Sequence, residues 1–62
     1  MIELKATSED IRRAARELIK NHGDAATTIA EWRAVAFADS GQSEEAKRWM
    51  IIAGTILAMT EP

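Results

Sequence analysis

The stretch from Trp49 to Met59 is almost entirely apolar, and Thr55 is its only clearly polar residue. A helix that is apolar on every side must be covered on more than one side. The chain has 62 residues, and a domain of this size buries only about 60% of the surface that its unfolded chain exposes. The sequence therefore predicts that another molecule covers part of this helix.

The composition limits how such a small domain can be stabilised. The chain has no cysteine and one histidine, so it has no disulfide and no metal site built from cysteine or histidine ligands. Efficient helix packing and oligomerisation remain. The formal net charge is −2, which does not favour a polyanionic partner. We expect no cofactor, no metal, no small-molecule substrate and no catalytic residue, and hence a protein that is not an enzyme.

Two observations bear on location. The start of the chain lacks a basic segment followed by an apolar one, which a secretory signal would need. The apolar stretch 49–59 is too short to span a bilayer, which takes about 20 residues. We expect a cytoplasmic protein with no membrane segment.

Apolar residues at helical spacing indicate the first helix. They lie at i, i+3, i+4, i+7 and i+8, the pattern of a helix with one buried face. These residues are Ile11, Ala14, Ala15, Leu18 and Ile19. Thr7 is the predicted N-cap, and Gly23 is predicted to adopt the left-handed conformation that ends the helix. His22 is expected to interact with the last carbonyl groups of this helix.

Turn and capping residues divide the rest of the chain into two more helices. Asp24 is the predicted N-cap of the second helix, Gly41 is predicted to end it, and Ser43 is the predicted N-cap of the third. Helices joined by a few residues pack as antiparallel neighbours.

The predicted fold class is therefore all-α: a small three-helix bundle with helices at about 8–21, 25–39 and 43–59. The chain is predicted to form a single helical domain, 1–62. Residues 1–6 are an N-terminal extension, either extended or packed on the bundle.

One set of positions resembles a known pattern of short bacterial proteins. The set is Leu18, Ile19, His22, Gly23, Ala26, Ala30, Arg33, Ala34, Gly41 and Trp49. It resembles a group of uncharacterised, alphaproteobacterial-type proteins with a helix–His-Gly–helix–Gly–helix-with-Trp layout, and the match covers residues 10 to about 57. The resemblance implies a three-helix cytoplasmic protein, and it supplies no activity, substrate or catalytic residue.

The chain departs from that pattern in its third helix. Polar residues are expected there between the apolar positions, but this chain has apolar ones. At 100° per residue they form a second face, opposite the predicted core face around Trp49 and Ile52. The second helix carries a similar extra face around Trp32. The predicted interface is Ile29, Trp32, Val35, Ala36, Met50, Ile51, Gly54, Leu57 and Ala58.

Apolar surface of this extent usually marks an interface. We therefore predict a small non-catalytic protein–protein interaction module that forms a homodimer through this patch. A small regulator or inhibitor that docks on a larger bacterial protein is the first alternative, and a monomer that buries all this surface is another. A weak nucleic-acid-binding module is the second alternative function, because helix 1 carries a basic strip, Arg12, Arg13, Arg16 and Lys20.

Two further residues have expected roles. Arg33 is expected to lay its stem over the core and reach a carboxylate or a helix C-terminus, with contact to a partner as the alternative. Trp49 is predicted to be a core residue, whereas Trp32 is the predicted interface anchor.

Overall fold

The computed structural model describes residues 8–60, with side chains from residue 9 onward. The elements are α1 (Ser8–His22), a 3₁₀ turn (Gly23–Ala25), α2 (Ala26–Asp39) and α3 (Ser43–Thr60). All of these elements are helical, so the predicted all-α class is confirmed. The predicted N-cap Thr7 and the predicted extension 1–6 lie outside the described residues.

The structure differs from the predicted three separate helices at the first connection, where helical backbone joins α1 to α2. Helical backbone continues from residue 8 to residue 39, because the 3₁₀ turn follows α1 and precedes α2 with no non-helical residue between them. The described chain thus has two continuous helical stretches, 8–39 and 43–60. Gly23 has a φ of 57°, so the first stretch changes direction there, at the glycine predicted to end α1.

The predicted N-cap of the second helix, Asp24, is wrong. Ala25, not Asp24, is at the N-cap position of α2, and it makes no side-chain capping bond. Asp24 lies inside the 3₁₀ turn, so its backbone is already helical where an N-cap is not. The His22 side chain makes no capping hydrogen bond to the 3₁₀ turn that follows it, and its expected interaction with the last carbonyl groups of α1 stays a prediction.

The second connection is a Schellman motif, the arrangement in which a left-handed residue ends a helix. Gly41 has a φ of 83°. Its amide donates to the Ala38 carbonyl at 3.1 Å, and the Gln42 amide donates to the Phe37 carbonyl at 2.8 Å. The Ser40 hydroxyl also donates to the Phe37 carbonyl at 3.1 Å. Gly41 therefore ends α2 as predicted.

The N-cap of α3 differs from the predicted Ser43. The Ala46 amide donates to the Gln42 carbonyl at 3.0 Å, and the residue that accepts this first helical bond is the N-cap. Gln42 thus serves both the end of α2 and the start of α3. Ser43 is the first residue inside α3.

The core is built from all three α-helices. Its buried members are Ile11, Ala15 and Leu18 of α1, Ala26 and Ala30 of α2, and Ile52, Ala53 and Ile56 of α3. Ile52 and Ile56 are the largest fully buried side chains. The predicted buried face of α1 is confirmed.

Two residues predicted on the core face of α3 lie at its edge instead. Trp49 is half-buried and packs against the core cluster. Met59 is 40% exposed, because it lies in the last turn of α3, beyond Ile56, where the core ends.

Candidate association surface

A groove of about 550 Å³ runs between α2 and α3. Its lining residues are Glu31, Ala34, Val35, Ala38, Ala46, Met50, Ala53, Gly54 and Leu57. None of the described α1 residues lines it, so α1 packs elsewhere on the α2–α3 pair. We call this surface the α2–α3 groove.

Small residues form the floor of the α2–α3 groove. Ala34, Ala46 and Ala53 are buried, and Ala38 and Gly54 add no bulk beside them. A Cβ atom built on Gly54 meets no atom within 4 Å. The missing side chain of Gly54 is therefore not needed for helix packing within the protomer, and it leaves the groove open.

Large apolar side chains form the rims. Val35 is 60% exposed, Met50 is 64% exposed and Leu57 is 48% exposed. Exposed apolar side chains above a floor of small residues form the kind of concave surface that accepts an apolar helix face.

Glu31 is the charged residue in the lining. Its side chain is exposed. The ion pair seen in the described residues joins Arg48 to Glu45 at 3.8 Å, one turn apart on α3. Glu31 thus lies beside an apolar groove with no basic partner from residues 8–60.

The structure brings together four of the nine residues of the predicted interface. Val35, Met50, Gly54 and Leu57 all line the α2–α3 groove. Ile51 is 57% exposed but lines a different cleft, with Ile11, Arg12 and Thr55. Ile51 lies about 100° around the helix axis from Met50, which places it on the side of α3 that faces α1.

The other four predicted interface residues are outside the groove. Ile29 is half-buried against the core cluster, because it borders the buried stripe of Ala26 and Ala30 on α2, so only part of its side chain is available to a partner. Trp32 is 70% exposed. Ala36 and Ala58 are exposed as well. The α2–α3 groove therefore contains only part of the predicted patch.

Sequence reasoning missed the groove floor and its acidic residue. Ala34 was identified only as part of the bacterial-type pattern, and no prediction of an interface concerned Ala38, Ala46, Ala53 or Glu31. Helical spacing could have identified two of these residues as neighbours of the predicted interface, since Ala38 follows Val35 by three positions and Ala46 precedes Met50 by four.

Arg33 has a partner that was not predicted. Its guanidinium carbon lies 5.0 Å from the centroid of the Trp49 ring, which is cation–π distance. The expected carboxylate or helix C-terminus is not the group it contacts. This pair closes the edge of the core where Trp49 remains half-exposed.

Other candidate sites are weaker. The basic strip Arg12, Arg13, Arg16 and Lys20 is exposed. Residues 8–60 contain no group of three or more histidine, cysteine, aspartate or glutamate residues that could hold a metal ion. Within the same residues, none of the helices has the length and apolar character needed to cross a membrane.

Comparison of the chain with protein-family models, with curated proteins and with solved structures finds no match. The resemblance to the bacterial His-Gly proteins stays a prediction.

Proposed function

We propose that this protein is a non-catalytic interaction module that self-associates as a homodimer through the α2–α3 groove. The observation that carries the proposal is the groove itself, with a floor of small residues and rims formed by Val35, Met50 and Leu57. The rim side chains are each about half or more exposed. Exposed contiguous apolar surface in a groove is a common mark of a protein–protein contact site. A cytoplasmic location is part of the same proposal, and fractionation of the host cell tests it.

The strength of such a dimer can be bounded. Full burial of a valine, leucine or methionine side chain is worth about 1.5 to 3 kcal/mol. The exposed fractions of the three rim residues are 48–64%, so covering them recovers about 3 to 5 kcal/mol per protomer, or about 6 to 10 kcal/mol for a symmetric pair. Association itself costs about 4 to 15 kcal/mol. We therefore expect a dissociation constant in the micromolar range or weaker.

The test compares two substitutions on neighbouring residues of α3. Met50→Gln removes an apolar side chain from the groove, whereas Ile51→Gln removes one of similar exposure from the separate cleft beside α1. Both changes introduce the same residue, so they have comparable effects on the helix itself. Loss of Met50 from both halves of a symmetric interface costs about 2 to 4 kcal/mol of association.

We expect Met50→Gln to weaken the dimer by at least about 30-fold in sedimentation equilibrium. Ile51→Gln is expected to leave the dissociation constant unchanged. A wild-type protein that remains monomeric up to millimolar concentration would refute self-association. Equal weakening by the two variants would show that the contact is not in the α2–α3 groove.

A further inference from the structure

The α2–α3 groove has an acidic end. The turn at 40–42 folds α3 back along α2, so the N-terminal half of α2 lies beside the C-terminal half of α3. Glu31 belongs to the N-terminal half of α2 and lines the groove together with Gly54 and Leu57. Its carboxylate therefore marks the end of the groove nearest the C-terminus of α3.

A basic residue, Lys47, lies one turn before the groove residue Met50 on α3 and is not itself among the lining residues. Lys47 precedes Met50 by three positions and Gly54 by seven, so these three residues lie in one row along α3. The Lys47 side chain is exposed and has no ion pair within residues 8–60. Along the same face of the molecule, the charge thus changes from negative at Glu31 to positive at Lys47.

From this charge distribution we infer how the groove is occupied: a second copy packs on it about a two-fold axis near the middle of the groove, and Lys47 of each copy pairs with Glu31 of the other. In a two-fold interface, if residue i of one copy contacts residue j of the other, then j also contacts i. A two-fold axis perpendicular to α3 sets the two α3 helices antiparallel. The beginning of α3 in one copy then lies beside the Glu31 end of the groove in the other.

The same arrangement fits the shape of the groove. Rim side chains such as Met50 and Leu57 of one copy meet the alanine and glycine floor of the other, so large groups pack onto small ones. A parallel arrangement of the two α3 helices would instead bring Glu31 near Glu31 and Lys47 near Lys47. Like charges placed together disfavour that alternative.

This inference rests on the proposed self-association and is tested by charge reversal. Glu31→Lys and Lys47→Glu each place like charges at both symmetric contacts, and each is expected to weaken the dimer about tenfold at low salt. The double variant Glu31→Lys/Lys47→Glu exchanges the two charges and is expected to restore the wild-type dissociation constant within about threefold. High salt should reduce the effect of each single reversal, because both residues are exposed.

Matched controls lie on α1, away from the groove. Glu17→Lys changes the net charge by the same amount as Glu31→Lys, and Lys20→Glu matches Lys47→Glu; both control residues are exposed. We expect neither control to change the dissociation constant by more than about twofold.

The outcomes separate the two proposals. A dimer that is insensitive to the single reversals, or that the double variant fails to restore, overturns this pairing and leaves self-association standing. A wild-type chain that is monomeric at millimolar concentration overturns both. Weakening by each single reversal and recovery in the double variant support the pairing.

Discussion

The substitution Gly54→Ala separates the stability of the protomer from its association. Gly54 lies inside α3, where glycine is less favourable than alanine by about 0.5 to 1 kcal/mol. It is not among the glycines with positive φ, and an added Cβ meets no atom within 4 Å. We therefore expect Gly54→Ala to stabilise the isolated protomer by about 0.5 to 1 kcal/mol, which raises the unfolding temperature of a domain this small by about 2 to 8 °C.

The same methyl group is expected to weaken the dimer. Gly54 lines the α2–α3 groove, so a second copy that packs there meets the new Cβ atom. Extra volume in a packed contact costs about 1 to 3 kcal/mol, and two-fold symmetry makes this cost occur twice. We expect the dissociation constant to rise by at least about tenfold, while the protomer becomes more stable.

The two effects are measured on the same variant. Circular dichroism during heating of a dilute sample reports protomer stability, and sedimentation velocity over a concentration series reports association. Ala58→Gly is the reverse control, because Ala58 is exposed on α3 and does not line the groove. It should lower the stability of the helix by about 0.5 to 1 kcal/mol without changing the dissociation constant.

Either of two results would refute this reasoning. A lower stability of Gly54→Ala would mean that the space beside Gly54 is occupied in the protomer. A higher stability with unchanged association would remove Gly54 from the contact between copies.

Three further substitutions test the fold. Gly41→Ala should destabilise the protein by about 1 to 2 kcal/mol in urea unfolding, since Gly41 has a φ of 83° and an L-residue is strained there. Ile52→Ala removes a side chain that is fully buried and should lower the free energy of unfolding by about 2 to 5 kcal/mol. Ile51→Ala, at an exposed position, should lower it by less than about 1 kcal/mol. Equal losses would contradict the described orientation of α3, which buries Ile52 and exposes Ile51. Arg33→Gln should cost about 0.5 to 1 kcal/mol by loss of its contact with Trp49, and no change would show that the stacking is energetically neutral.

Helix ends were predictable wherever the backbone requires a glycine. The predicted bounds of the helices agree with the structure to within about one residue, because Gly23 and Gly41 both adopt positive φ and few other residues do so at low cost. The N-caps were not predictable in the same way. Asp24 and Ser43 have suitable side chains, but the backbone is already helical at both, because the first connection has no non-helical residue and the second places Gln42 at the N-cap of α3.

The sequence identified four of the groove residues among the nine predicted for the interface, and helix geometry explains why it did not identify the rest. Helical spacing identifies which residues share a face of one helix, but not how far that helix rotates against its neighbours. Met50 and Ile51 were grouped because both are apolar at positions of the third helix that are expected to be polar. The position of α1 places Ile51 in a cleft with Ile11 and leaves Met50 in the groove on the other side.

The alanines of the α2–α3 groove show why a buried residue need not belong to a filled core. Ala34, Ala46 and Ala53 are buried, yet each also lines the α2–α3 groove. Small side chains let α2 and α3 approach closely but contribute little apolar area of their own. The apolar burial of the protomer therefore depends mainly on a few large residues such as Ile52 and Ile56, and a second copy in the groove would add apolar burial that the alanine contact lacks.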